Sequence, residues 1–121
     1  MNTRAARIEV VEDRIVVARI GDQVQTVGDA RETLEACARL AEPDRKALLC
    51  DIRVAQPMSP EVRHVYTGIR FDAFGAMALL VSATPLGRTR GSVYFKIALL
   101  GIPTRVFVQE PKAIEWLRDP K

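Results

Sequence analysis

Apolar residues recur along this chain in two rhythms. "RIEVV" (Arg7 to Val11) and "RIVVARI" (Arg14 to Ile20) are β-branched runs separated by the charged turn residues Glu12 and Asp13, which predicts an opening hairpin. A polar stretch around Gly21 and Asp22 leads into "DARETLEACARLA". There Ala30, Leu34, Cys37, Ala38 and Ala41 step at helical spacing. Asp29 is expected to cap the first turn, with Glu32 in the reciprocal box position.

"KALLCDI" then runs apolar for the length of a strand, the mark of a strand covered on both faces. Ser59 and Pro60 read as the cap and first residue of a second helix, with Val62, Val65, Tyr66 and Ile69 along one stripe. "AMALLVSA" and "TRVFV" are two more strands. Pro111 starts a last helix that turns Ala113, Ile114 and Leu117 inward. Periodicity leaves "SVYFKIALL" open, because it is apolar on almost every face. Parallel neighbours need a long crossover, so topology makes this segment a helix, and Gly101 with Pro103 gives it a stop. The expected class is α/β: one mixed sheet of about five strands, an N-terminal hairpin followed by largely parallel strands, with about four helices.

At 121 residues the chain suits a single domain spanning 1–121, and 48% hydrophobic with 27% charged residues is an ordinary globular composition. Its net charge of +3 is too small to point to nucleic acid as a partner. The longest nearly apolar stretch, Gly75 to Ala83, falls far short of the roughly 20 residues a membrane span needs. No apolar leader segment follows the basic residues of the N-terminus, and Cys37 and Cys50 lack close pairing. The expected location is therefore the cytoplasm, with both thiols reduced.

Candidate chemistry is sparse. A single histidine and two separated cysteines offer no metal site, and no cofactor motif is present. There is no nucleophile elbow or P-loop; "GRTRG" (Gly87 to Gly91) lacks the Lys-Ser/Thr ending of a phosphate cradle. His64 falls on the polar face of its helix with no nucleophile named beside it. An enzyme is not expected. Ligands of open α/β sheets sit beyond the carboxyl ends of parallel strands. That rim would hold Asp51 and Arg53, then Ser82, Thr84, Arg88 and Arg90, then Gln109 and Glu110. Asp51, Arg53, Thr84, Arg88 and Arg90 are the candidate ligand-binding set, suited to a carboxylate or phosphate.

The element order, "LLCDIR" at Leu48 to Arg53, the Ser-capped second helix and "TRVFVQEPKAIEWL" at Thr104 to Leu117 together resemble the STAS/SpoIIAA-like superfamily, in particular its uncharacterised bacterial STAS/SEC14-related branch. The resemblance covers about residues 7–118. It implies a non-enzymatic regulatory or protein-interaction domain, with a regulatory protein as possible partner. The alternative is a binder of an anionic or lipid-like small molecule. In the anti-sigma-factor antagonists of that superfamily a regulatory serine begins the helix after this strand, which implies Ser59 here. The local text is "QPMSPEV" rather than that family's Asp-Ser-Ser-Gly. Val93, Tyr94, Ile97 and Leu100 lie on a segment apolar all round. They are the expected contact of a homodimer or partner.

Overall fold

The structure is a computed structural model that describes residues 1–68, 73–84 and 102–120. Among these, β1 (Ala6–Val11) and β2 (Ile15–Ile20) precede α1 (Val27–Ala41) and β3 (Ala47–Asp51). They are followed by α2 (Pro60–Gly68), β4 (Met77–Leu80), β5 (Thr104–Phe107) and α3 (Glu110–Arg118). One sheet takes the strands in chain order, β1-β2-β3-β4-β5, with β1 antiparallel to β2 and every later pair parallel. The mixed sheet and its opening hairpin are as expected. The described residues hold three helices against about four expected, and the segment Ser92 to Leu100 lies outside them.

The hairpin closes through Glu12 and Asp13, both left-handed with φ of 54° and 55°, and Arg14 donates its N–H to the Val11 carbonyl at 3.2 Å. Positive φ at both central residues turns the chain with the handedness that right-twisted strands require.

One helix start corrects the sequence reading. α1 begins two residues before Asp29, and its cap is Thr26, whose hydroxyl accepts the Asp29 N–H at 3.1 Å. Asp29 occupies the third position and accepts the Thr26 N–H at 2.9 Å, so the box is Thr26 with Asp29 and Glu32 takes no part. Tertiary structure decides between the two frames. The nearly buried Asp29 carboxylate also receives the Arg4 fork, at 2.9 and 2.7 Å. At the second helix the expectation holds: Ser59 Oγ accepts the Val62 N–H at 3.3 Å and Pro60 is the first helical residue.

Strand parity divides the core in two. Val16, Ala18, Leu48, Leu79 and Val81 face one side, packed with Leu34, Cys37, Ala38 and Ala41 of α1. Ile15, Val17, Leu49, Ala78 and Leu80 face the other, covered by Ala113 and Leu117 of α3, with Phe107 and Trp116 at its margin. Full burial of a Leu or Val side chain stabilises by about 1.5–3 kcal/mol, and Leu49, Leu79 and Leu80 are all fully buried. α2 packs on α1 through Ala30, Val62 and Val65.

Candidate functional site

The rim at the carboxyl ends of β2 and β3 is set by parity and register. Residues alternate faces along a strand. Arg19 therefore follows Ile15 and Val17 onto the α3 face, and Asp51 follows Ala47 and Leu49 onto the same face. The parallel register pairs Arg19 with Asp51 directly. The first turn of α3 brings Glu110 to the same place, and Arg53 arrives two residues beyond β3.

These four residues form a closed ionic quartet. Arg19 Nη1 donates to Asp51 Oδ2 at 3.0 Å and to Glu110 Oε1 at 2.6 Å, while its Nη2 reaches Glu110 Oε2 at 3.2 Å. Arg53 donates to Asp51 through its backbone N–H (3.1 Å), Nε (3.0 Å) and Nη2 (2.8 Å), and its Nη2 stands 3.6 Å from Glu110. Such two-pronged guanidinium–carboxylate contacts fix geometry as well as charge. Two cations meet two anions, so the quartet is internally neutral.

The titration directions follow from these contacts. Burial pushes the Asp51 carboxyl upward, but the hydrogen bonds and charge of Arg53, helped by Arg19, outweigh it and hold the group below its ordinary range. At Glu110 the bond from Arg19 dominates and lowers the carboxyl against a smaller penalty from burial. Bonding to Glu110 raises Arg19 in turn. Both carboxylates are thus firmly ionised acceptors, the opposite of what a general acid needs.

The remaining expected site residues fall as follows. Thr84 Oγ1 lies 2.9 Å from Ser82 Oγ in the exposed stretch after β4. Gln109 is the cap residue of α3 and makes no side-chain cap bond. Ser59 is exposed at the start of α2, as is His64 one turn on. Arg88 and Arg90, with Val93, Tyr94, Ile97 and Leu100, lie outside the described residues. Among the described residues no group of His, Cys, Asp and Glu could hold a metal ion. No helix of the described residues is long and apolar enough to cross a membrane.

Sequence reasoning missed Arg19, the residue that joins the two carboxylates. One signal was available: it is the single charged residue in the otherwise apolar run "IVVARI" from Ile15 to Ile20, every other position of which the structure buries. A charge in a run of that kind is retained only with a partner. Arg4 was missed as well, and nothing local marks it, because its partner Asp29 is 25 residues away.

A family model described as a domain of unknown function, DUF7793, matches residues 9–121. No curated protein matches the sequence. Among solved structures, an uncharacterised protein of the DUF3478 family with a SpoIIAA-like fold, from Shewanella loihica PV-4, aligns at TM-score 0.59 and 17% identity. That alignment covers 97% of this chain and 98% of the other. An anti-sigma factor antagonist from Mycobacterium paratuberculosis aligns at TM-score 0.57 and 12% identity, covering 98% of this chain and 100% of that one. The fold is SpoIIAA-like, as the sequence resemblance implied.

Proposed function

We propose that this chain, which belongs to the DUF7793 family, is a non-enzymatic STAS-like regulatory domain that works by binding a protein partner. One fold neighbour is an anti-sigma factor antagonist, and the proposed partner is accordingly a regulatory protein of the anti-sigma type. The observation that carries the reading is the condition of the rim. Its ionised groups are tied to each other, while the loop beside them presents Val54, 63% exposed, followed by the exposed Ser59 cap. An apolar side chain held out beside a rigid polar frame suits a protein surface better than it suits catalysis.

Ser59 gives that edge a means of control. A phosphoryl group on it would set a dianion against the amino end of α2, where the helix dipole favours negative charge, and would present new acceptors to the partner. Self-association through Val93, Tyr94, Ile97 and Leu100 belongs to the same proposal, as does a cytoplasmic location. Sedimentation equilibrium of the full chain decides the former: a monomer at all concentrations removes it.

The test uses wild-type protein and Val54→Asp side by side. Proteins captured from the native host by the wild type but not by the variant are identified and purified, and their binding is measured by calorimetry. The reading expects saturable binding that Val54→Asp weakens about tenfold or more, as a docking anchor should. Ser59→Asp should shift the same affinity. A purified partner indifferent to both substitutions, or the absence of any saturable partner, overturns it. Intact mass of the protein from its host reports whether Ser59 carries phosphate.

The rival reading is an anionic ligand held by Asp51, Arg53, Thr84, Arg88 and Arg90. It rests on the position of Arg53 at the rim, 42% exposed. Loss of an anion-induced thermal shift on replacing both Arg88 and Arg90 by Ala would support it, and an unchanged shift would remove it.

A further inference from the structure

On the flank of the rim away from β4 lies an open groove of about 830 Å³, within the range typical of small-ligand sites. It runs between the segment before β1 and the ends of β2 and β3. Arg4, Arg7, Arg19 and Arg53 line it, with Asp51 as the one acidic lining residue and Gln23 as a neutral donor. Asp29 and Glu110 are not among the lining residues and pair with Arg4 and Arg19. Four guanidiniums against three carboxylates leave the neighbourhood at +1.

Arg7 is the source of that surplus. The antiparallel register sets it directly opposite Arg19 on the same face, and like charges so placed destabilise a sheet. Glu9, next on that face of β1, stands opposite Val17 instead. Among the described residues the Arg7 side chain makes no hydrogen bond or ion pair, and it is exposed. Arg4, Arg19 and Arg53, by contrast, are each clamped through two nitrogens by one carboxylate, that of Asp29, Glu110 and Asp51 respectively. Those bonds engage Nε and Nη2 of both Arg4 and Arg53, which leaves Nη1 of each for another acceptor.

We infer that this groove is a binding site for a small polyanion with two or more forked oxygen groups, a polyphosphate or polycarboxylate, whose charge relieves the Arg7–Arg19 opposition. Three of the four arginines are already ordered by their clamps, so an incoming anion need immobilise only Arg7. Forked oxygens match guanidinium geometry, and an extended anion can reach several arginines along the groove at once. The site uses neither Arg88 nor Arg90, and it stands or falls separately from the protein-partner reading.

The probes are inorganic pyrophosphate and citrate, titrated into the full ¹⁵N-labelled chain at constant ionic strength. Wild type should show saturable shifts of the Arg4, Arg7 and Arg53 Nε–H signals and of the Gly21 amide. Arg7→Gln should weaken binding about tenfold, the loss of one charge-assisted fork. Arg7→Lys, which keeps the charge without the fork, should fall between. Lys112→Gln, on the exposed side of α3, should match wild type. Saturation by pyrophosphate alone identifies a phosphate ligand, by citrate alone a carboxylate ligand, and by both a site that reads forked anions generally. Shifts that never saturate with either probe overturn the site. So does a Kd unchanged in Arg7→Gln, or one weakened equally in Lys112→Gln.

Discussion

Asp51→Asn isolates the contribution of the rim quartet to stability, because it removes one negative charge at nearly constant volume. The Asp51 side chain is 10% exposed and accepts four N–H groups, three from Arg53 and one from Arg19. An asparagine keeps one acceptor oxygen but turns an NH2 group toward guanidinium donors. Hydrogen bonds to charged groups contribute about 1.5–3 kcal/mol each when buried. Arg53 and Arg19 are 42% and 27% exposed and recover water when released, so the four bonds do not add. Arg19 also keeps its fork on Glu110. The net loss expected is about 2 kcal/mol, or roughly 8 °C in Tm for a domain of this size. Urea unfolding at pH 7, followed by circular dichroism, reads it as a lower midpoint at unchanged slope. Combining Asp51→Asn with Arg53→Gln should be less damaging than the two losses added, by about 1 kcal/mol, since each removes the same interaction. A loss below about 0.5 kcal/mol, as for an ordinary surface pair, together with simple additivity would refute the quartet as a structural unit.

The acid limb of stability should have the same origin. Asp29 is held down at about 2, first by the Arg4 hydrogen bond, and Asp51 and Glu110 also lie below their ordinary values. Depressed carboxyls stabilise the fold fully above their unfolded values, near 4, and lose that contribution as pH falls through the folded ones. Melting temperature should therefore drop between about pH 5 and 2, and Asp51→Asn should flatten the curve; parallel curves for variant and wild type would contradict this. Leu80→Ala, at a fully buried position between β4 and α3, should cost about 3 kcal/mol in the same urea assay. Burial pushes both the Cys37 and Cys50 thiols up to about 12, so a disulfide-exchange reagent at pH 8 should react slowly with native protein and quickly in urea. Equal rates in the two states would show that the thiols are open to solvent. Gly75→Ala should destabilise by about 1–3 kcal/mol, because a Cβ there would meet the Arg45 carbonyl oxygen at 2.8 Å, and a neutral result would mean that backbone yields.

Much of this architecture was legible before any coordinates. The alternation of "KALLCDI" and "AMALLVSA" with helical stripes leaves few arrangements other than a parallel sheet with covering helices. Ser59 and Pro60 carry a cap and a first helical residue in adjacent letters, and a local motif of that kind survives folding unchanged. Asp29 was misread for a related reason. Asp and Thr are both good caps, so the local text from Thr26 to Asp29 allows two frames. The choice fell to Arg4, which draws the Asp29 carboxylate outward from 25 residues away.

By itself the sequence determined the type of the described strands and helices and most of the positions that turn inward, because side-chain period and backbone preference are local properties. Only the tertiary structure decided which charges meet. Arg19 and Glu110 lie 91 residues apart and bond solely because one parallel register and one helix entry bring them to the same end of the sheet. Arg7 faces Arg19 through a hairpin register fixed by a left-handed turn. Coulomb energy depends on distance in space, and no local spacing in the chain encodes that distance.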